Sequence, residues 1–326
     1  MRSARFAIAA MIGWLSLTPA LADNEFFTRG NWQDPGIEVR IDMQPLRVGD
    51  LTGELYLPKN AVHRPALMAL GACTTESLRG MAQGMADHGF PTLALFYCGK
   101  DAPRADLRET PVEIFKTAMD WLRKQPSVDP DHVGIIGASA GATAALLAAA
   151  NDVRIKAVIA IVPGNVVWQA PVDDVPAVSM YSIGGAPLPF MSADGSLPTK
   201  VRLDQMRERA GNPVPGAIIP VENIKGAILL LSGQEDQSWP SAFMSDQIMA
   251  RLKEKNFSLP HESFNYVDAG HGFYAAHDAD DPWFLAIYPR LMNPTAFPQM
   301  GGTTAGNEAA QRDSWSKTLS FLHAYL

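Results

Sequence analysis

Val133-Gly134-Ile135-Ile136-Gly137-Ala138-Ser139-Ala140-Gly141, continuing as Ala142-Thr143-Ala144-Ala145-Leu146-Leu147-Ala148-Ala149-Ala150, carries three local signals in succession. Val133 to Gly137 reads as a buried strand. Residues 137–141 form a G-x-S-x-G turn, and the small residues that follow read as a helix. The pattern alone is loose, but a strand before it and a helix after it supply the context that a nucleophile elbow needs. In such a turn the serine is held in a strained backbone conformation, and only glycine-sized neighbours at 137 and 141 let strand and helix approach closely. Ser139 is therefore expected to project from a sheet edge at the N-terminus of a helix, where unpaired N–H groups and the helix dipole favour an oxyanion.

Outward from this stretch, apolar runs alternate with helical ones. Strands are predicted at 66–71, 92–97, 132–137 and 155–162, with helices at about 76–88, 111–125 and 140–150. The rhythm resumes with a strand at 227–232, a helix at 240–254, a strand at 261–267 and a final helix from about 306 to 325. In that helix Ala310, Trp315, Leu319, Leu322 and Tyr325 mark an apolar stripe. Strands that are apolar throughout and alternate with helices argue an α/β fold, with a mostly parallel sheet covered on both faces. Upstream, Ile37 to Met43 alternates with period two and Leu51 to Leu57 follows across Arg47-Val48-Gly49-Asp50, an antiparallel pair at one sheet edge. Residues 163–222, after the sixth strand, break the alternation. This segment is rich in Pro and Gly, holds a short helix near 199–210, and carries Trp168, Tyr181 and Phe190 as aromatics of exposed type. Loop-rich insertions of that length are usually functional, so it is read as a cap over the site, with a structural excursion that merely packs on the surface as the alternative. Residues 273–303 form a second long loop.

The N-terminus has the parts of a secretory signal peptide: Arg2 and Arg5, an apolar run from Phe6 to Leu17, then Ala20-Leu21-Ala22. Residues 1–22 are thus expected to be removed, leaving one catalytic domain over 23–326 and an irregular lead-in from Asp23 to Gly36. That address is periplasmic or extracellular. No later segment approaches the ~18 uninterrupted apolar residues of a membrane span. Loss of Arg2 and Arg5 takes the formal charge from −7 to −9, and no basic stripe is present, so no nucleic-acid partner is expected.

Serine needs a base and an orienting carboxylate. Gly233-Gln234-Glu235-Asp236 closes the strand after the insertion and Asp268-Ala269-Gly270-His271 closes the last strand, both at the sheet edge of Ser139. Asp236 is the expected acid by its place in the turn, with Glu235 its competitor. A helix-capping role for Asp236 is the alternative, but Ser238 lies nearer the helix start. His271 is the expected base, with His277 its rival in the adjoining loop. His88 follows a helix, His63, His132 and His261 lie before or at strand starts, and His323 is the remaining histidine. The oxyanion needs two N–H donors, one from Ala140 and one from Gly71-Ala72-Cys73-Thr74-Thr75, where Cys73 or Ala72 supplies it. Cys73 and Cys98 each close a predicted strand at one sheet edge. Adjacent strands lie about 4.8 Å apart, so a disulfide or two apolar core thiols both fit. No His/Cys cluster has metal spacing, and no glycine pattern cradles phosphate. Gly184-Gly185 and Gly301-Gly302 read as turns, and no cofactor is expected.

From about residue 52 to 326 the chain resembles the catalytic domain of the acyl-CoA thioesterase and bile acid-CoA:amino acid N-acyltransferase family, within the α/β-hydrolase superfamily. The matching stretches are Ile219-Pro220-Val221-Glu222-Asn223-Ile224, Asp236-Gln237-Ser238-Trp239-Pro240-Ser241, Ala269-Gly270-His271, Gly301-Gly302-Thr303, and Ala310-Gln311 with Asp313-Ser314-Trp315. The resemblance implies an α/β-hydrolase fold and a Ser139, Asp236, His271 triad. The family's transferase branch is associated with cysteine in the elbow, whereas this chain has Ser139. The expected chemistry is hydrolysis of a small-molecule ester or acyl-CoA-like thioester with an apolar acyl group, through an acyl-enzyme. Transfer of the acyl group to an amine, and ligand binding without catalysis, are the alternatives.

Overall fold

Residues 41–73, 75–171, 176–274 and 300–326 are described by a computed structural model. The expected signal peptide, the lead-in, the start of the first strand and His277 all lie outside these residues.

An eight-stranded sheet runs in the order β1 (Ile41–Val48), β2 (Leu51–Pro58), β4 (Thr92–Leu95), β3 (Arg64–Leu70), β6 (Val128–Ala138), β7 (Ile155–Ile161), β10 (Ala227–Gly233), β11 (His261–Tyr266). β1 and β2 pair antiparallel, as do β2 and β4, and the remaining pairs are parallel. Gly49-Asp50 alone turns β1 into β2, so Arg47 and Val48, expected in the connector, are strand. The helices are α1 (Thr75–Asp87), α2 (Glu113–Leu122), α3 (Ala140–Asn151), α4 (Thr199–Gly211), α5 (Ser241–Glu254) and α6 (Thr304–Tyr325). None of the described helices is long and apolar enough to cross a membrane.

Alternation along the strands divides the core in two. Ala66, Met68 and Leu70 of β3, with Ile228 and Leu230 of β10, face a cluster that holds Phe115 of α2, Leu146 of α3 and Met244 of α5. Leu67 and Ala69, with Leu229 and Leu231, face the other, which holds Met81 and Met85 of α1 and Trp315 and Leu322 of α6. Both faces are therefore covered, which is why these strands carry no polar face. On α6 the buried stripe includes Ala310, Trp315 and Leu322, but Tyr325 is exposed, and Phe321 packs inward in its place.

The insertion is more ordered than its composition suggests. β8 (Tyr181–Ile183) and β9 (Ala186–Pro187) form a hairpin turned by Gly184-Gly185, both at positive φ, and β8 pairs with β5 (Thr110–Pro111), which precedes α2. Single bridges join Val166 to Ile218 and Trp168 to Met191. Trp168 and Tyr181, expected at the surface, are 2% and 0% exposed, and Phe190 packs against the core. The Pro- and Gly-rich backbone lets the segment fold back over the sheet, and its aromatics fill the space beneath.

Candidate active site

The carboxyl ends of β3, β4, β6, β7, β10 and β11 meet at one edge, as parallel strands require, and every residue of the site leaves from there. Ser139 follows β6 with φ 59° and ψ −126°, a region that L-residues avoid. Backbone contacts hold it: its N–H donates to Ile161 O at 2.9 Å, and its carbonyl accepts from Ala142 and Thr143. The two glycines of the turn are forced by contact, because a Cβ on Gly137 would lie 2.1 Å from Gly141 O and one on Gly141 would lie 2.2 Å from Leu70 O. Strand, turn and helix can close on one another only without those side chains.

His271 opens a 3₁₀ turn after β11, and its Nε2 lies 2.9 Å from Ser139 Oγ. Its Nδ1 lies 2.8 Å from Oδ2 of Asp236. Both side chains are buried and Ser139 is half-buried. Asp236 is held by more than the imidazole. Its Oδ1 accepts from the N–H groups of Ser238 and Trp239, and its Oδ2 also accepts from Ser241 Oγ at 2.6 Å. Glu235 beside it is exposed. The helix-start role assigned to Ser238 is not observed: Pro240 is the N-cap of α5, and Ser238 instead closes a turn onto Asp236. Trp239 packs edge-on against His271, with ring centroids 5.8 Å apart, and donates its Nε1 proton to Val162 O.

The remaining described histidines stand elsewhere. His63 and His132 face Asp129, the His261 ring meets Leu259 O, His88 contacts Gly84 O, and His323 stacks on Phe90.

Further supports escape a reading of the chain in order. Arg202 of α4 is buried and donates to the carbonyls of Ser238 and Gln237, which ties the insertion to the acid turn. Burial pulls this guanidinium below its ordinary range, against the opposing pull of Asp236. Gly301 and Gly302, read as a free turn, are a brace, bridging to Asp236 and Ala269 respectively. A Cβ at 301 would lie 2.0 Å from Glu235 O. Asn307, one turn into α6, accepts from Gly270 N at 2.7 Å and donates to Gly301 O. Only the dense small-residue pattern around Gly270, Gly301, Gly302 and Gly306 could have signalled this in the sequence.

On the oxyanion side, the N–H of Ala140 belongs to the first turn of α3, where helices leave their donors without an internal acceptor. The loop after β3 lies against that turn, since a Cβ on Gly141 would also sit 2.8 Å from Gly71 N. Ala72 and Cys73 follow Gly71 directly in that loop. Cys73 has φ 54° and is joined to Cys98 by a disulfide across 25 residues.

Comparison with known proteins adds three findings. The family described as BAAT / Acyl-CoA thioester hydrolase C terminal matches residues 110–326. The chain is 25% identical to mouse acyl-coenzyme A thioesterase 3, over 86% of its own length and 63% of the relative's. It is 26% identical to human mitochondrial acyl-coenzyme A thioesterase 2, over 87% of its own length and 57% of the relative's, so it spans only part of these relatives. Among solved structures, a dienelactone hydrolase-like promiscuous phosphotriesterase from metagenomic libraries superposes with a TM-score of 0.55 at 16% identity, covering 88% of this chain and 99% of that one. An esterase from Pyrococcus furiosus gives 0.53 at 14% identity, covering 91% and 97%. With the sheet described above, these likenesses establish an α/β-hydrolase fold.

Proposed function

The chain belongs to the BAAT / acyl-CoA thioester hydrolase C-terminal family, and on that premise we propose that it is a serine hydrolase of carboxylic esters or acyl-CoA-like thioesters. The observation that carries this reading is the unbroken line of hydrogen-bond distances from Ser139 Oγ through His271 to a buried Asp236. With Nδ1–H donated to Asp236, the imidazole presents the Nε2 lone pair to the serine. His271 takes the hydroxyl proton as Oγ attacks the acyl carbonyl, and the tetrahedral oxyanion is held by Ala140 N–H and a donor from the loop after β3. His271 then protonates the departing alkoxide or thiolate, leaving an acyl-enzyme. Water, deprotonated by the same histidine, releases the acid. A serine at the elbow supports water as the acceptor.

Export is part of the same reading, supported by the signal-like N-terminus and by the pairing of Cys73 with Cys98, a bond that persists in oxidising compartments. The experiment is turnover of p-nitrophenyl esters from acetate to palmitate, with a fatty acyl-CoA in parallel, by wild type and Ser139→Ala. Loss of about a thousandfold in the variant supports the nucleophile. A wild type that hydrolyses none of these substrates overturns the reading.

A further inference from the structure

Two buried phenols stand behind the site, and no step above uses them. Tyr97 follows β4 and Tyr181 opens β8 of the insertion; they are 1% and 0% exposed. Tyr181 Oη donates to the Ala140 carbonyl at 2.8 Å and Tyr97 Oη to the Gly71 carbonyl at 2.5 Å. Burial pushes both phenols well above the ordinary tyrosine range, so neither ionises at working pH and both stay donors.

Both accepting carbonyls lie in the backbone that would hold the oxyanion. In a trans peptide the C=O and N–H point in opposite directions. A proton on Gly71 O therefore fixes the plane that carries the Ala72 N–H and polarises that N–H as a donor. A proton on Ala140 O fixes the next peptide along from the Ala140 N–H. The stretch that begins with Tyr97 grips the same loop twice more. Cys98 is bonded to Cys73, and Gly99, at φ 101°, passes so close that a Cβ there would lie 2.5 Å from Cys73 O. The Tyr97 ring is itself held edge-on to Phe115, with centroids 5.1 Å apart.

We propose that Tyr97 and Tyr181 are positioning residues of the oxyanion hole, Tyr97 aiming the Ala72 N–H as its second donor and Tyr181 tying the inserted segment to the Ala140 side. The inference rests on Ser139 acting as the nucleophile. Neither phenol touches the reacting atoms, so their removal alters the transition state more than substrate binding. The test compares Tyr97→Phe and Tyr181→Phe with wild type in p-nitrophenyl butyrate hydrolysis and in inhibition by an alkylboronic acid, which forms a tetrahedral adduct on serine. In each variant kcat falls about 10-fold with KM within about twofold, and boronate affinity falls by the same factor as kcat/KM. Unchanged kcat and boronate affinity in both variants overturns the proposal, as does a loss confined to KM. If Tyr97→Phe does not fold, Tyr181→Phe decides by the same readouts. Fluorophosphonate labelling of Ser139 in the wild type separates the two failures. A labelled, active wild type that both variants match sinks this inference alone, and an unlabelled, inactive wild type sinks the hydrolase reading beneath it.

Discussion

Asp236 accepts four hydrogen bonds on one buried carboxylate, and three of them come from its own turn and from the first residue of α5. The carboxylate is thus fixed before the histidine arrives, which is what an orienting acid requires. Asp236→Asn keeps the shape but can offer an amide N–H to Nδ1, which favours the tautomer without a lone pair toward Ser139. We expect kcat to fall about 10³- to 10⁴-fold with little change in melting temperature, read by steady-state kinetics beside calorimetry. Ser139, Asp236 and His271 are legible in the chain because each closes a strand, and strand ends of a parallel sheet share an edge. Ser241, Arg202, Tyr97 and Tyr181 are not, because each is an ordinary polar or aromatic residue until the fold sets it against a particular carbonyl or carboxylate. Cys73 and Cys98 stand between these cases: their strands place them at one edge, but register decides whether sulfur meets sulfur.

At the scale of elements, the inserted segment is held at its end as well as through Arg202 at the Asp236 turn. Glu222, in the short 3₁₀ turn that returns the chain to β10, meets Arg251 of α5 with both carboxylate oxygens, one of them at 2.7 Å. Burial pulls this carboxyl upward, but the paired contact with Arg251 outweighs it and leaves Glu222 below the usual carboxylate range. A depressed carboxylate contributes stability above its unfolded value of about 4.3, and that contribution is lost as pH falls through the lower folded value. Arg251→Met is therefore expected to lower the unfolding free energy by about 1 kcal/mol at neutral pH. The deficit closes as pH falls below about 4, which urea unfolding across pH would show. The segment's helix near 199–210 was legible, as was the Gly184-Gly185 turn from its glycines. Its burial of Trp168 and Tyr181 was not, because Pro and Gly report backbone conformation and say nothing of what the backbone folds against.

Across the whole molecule, six strands of the large sheet follow from apolar runs alternating with helices and β1 and β2 from period-two alternation, whereas the order in which they pair, the two-residue β5 and the hairpin it pairs with lie beyond those patterns. The Cys73–Cys98 bond closes 25 residues that contain α1. Cys98→Ser is expected to lower the unfolding free energy by about 3 kcal/mol in denaturant titration, from loop-closure entropy returned to the unfolded chain. The same sheet edge gathers backbone strain, with Cys73, Ser139, Val162 and Asp268 all at positive φ just beyond the ends of β3, β6, β7 and β11. Ser139→Gly is expected to abolish turnover and raise stability by about 1 kcal/mol, the strain released less the greater chain entropy of glycine, as thermal unfolding would record. Evolution meets that gradient too. In a lineage where the activity ceased to matter, drift toward glycine at this position would be favoured by folding alone.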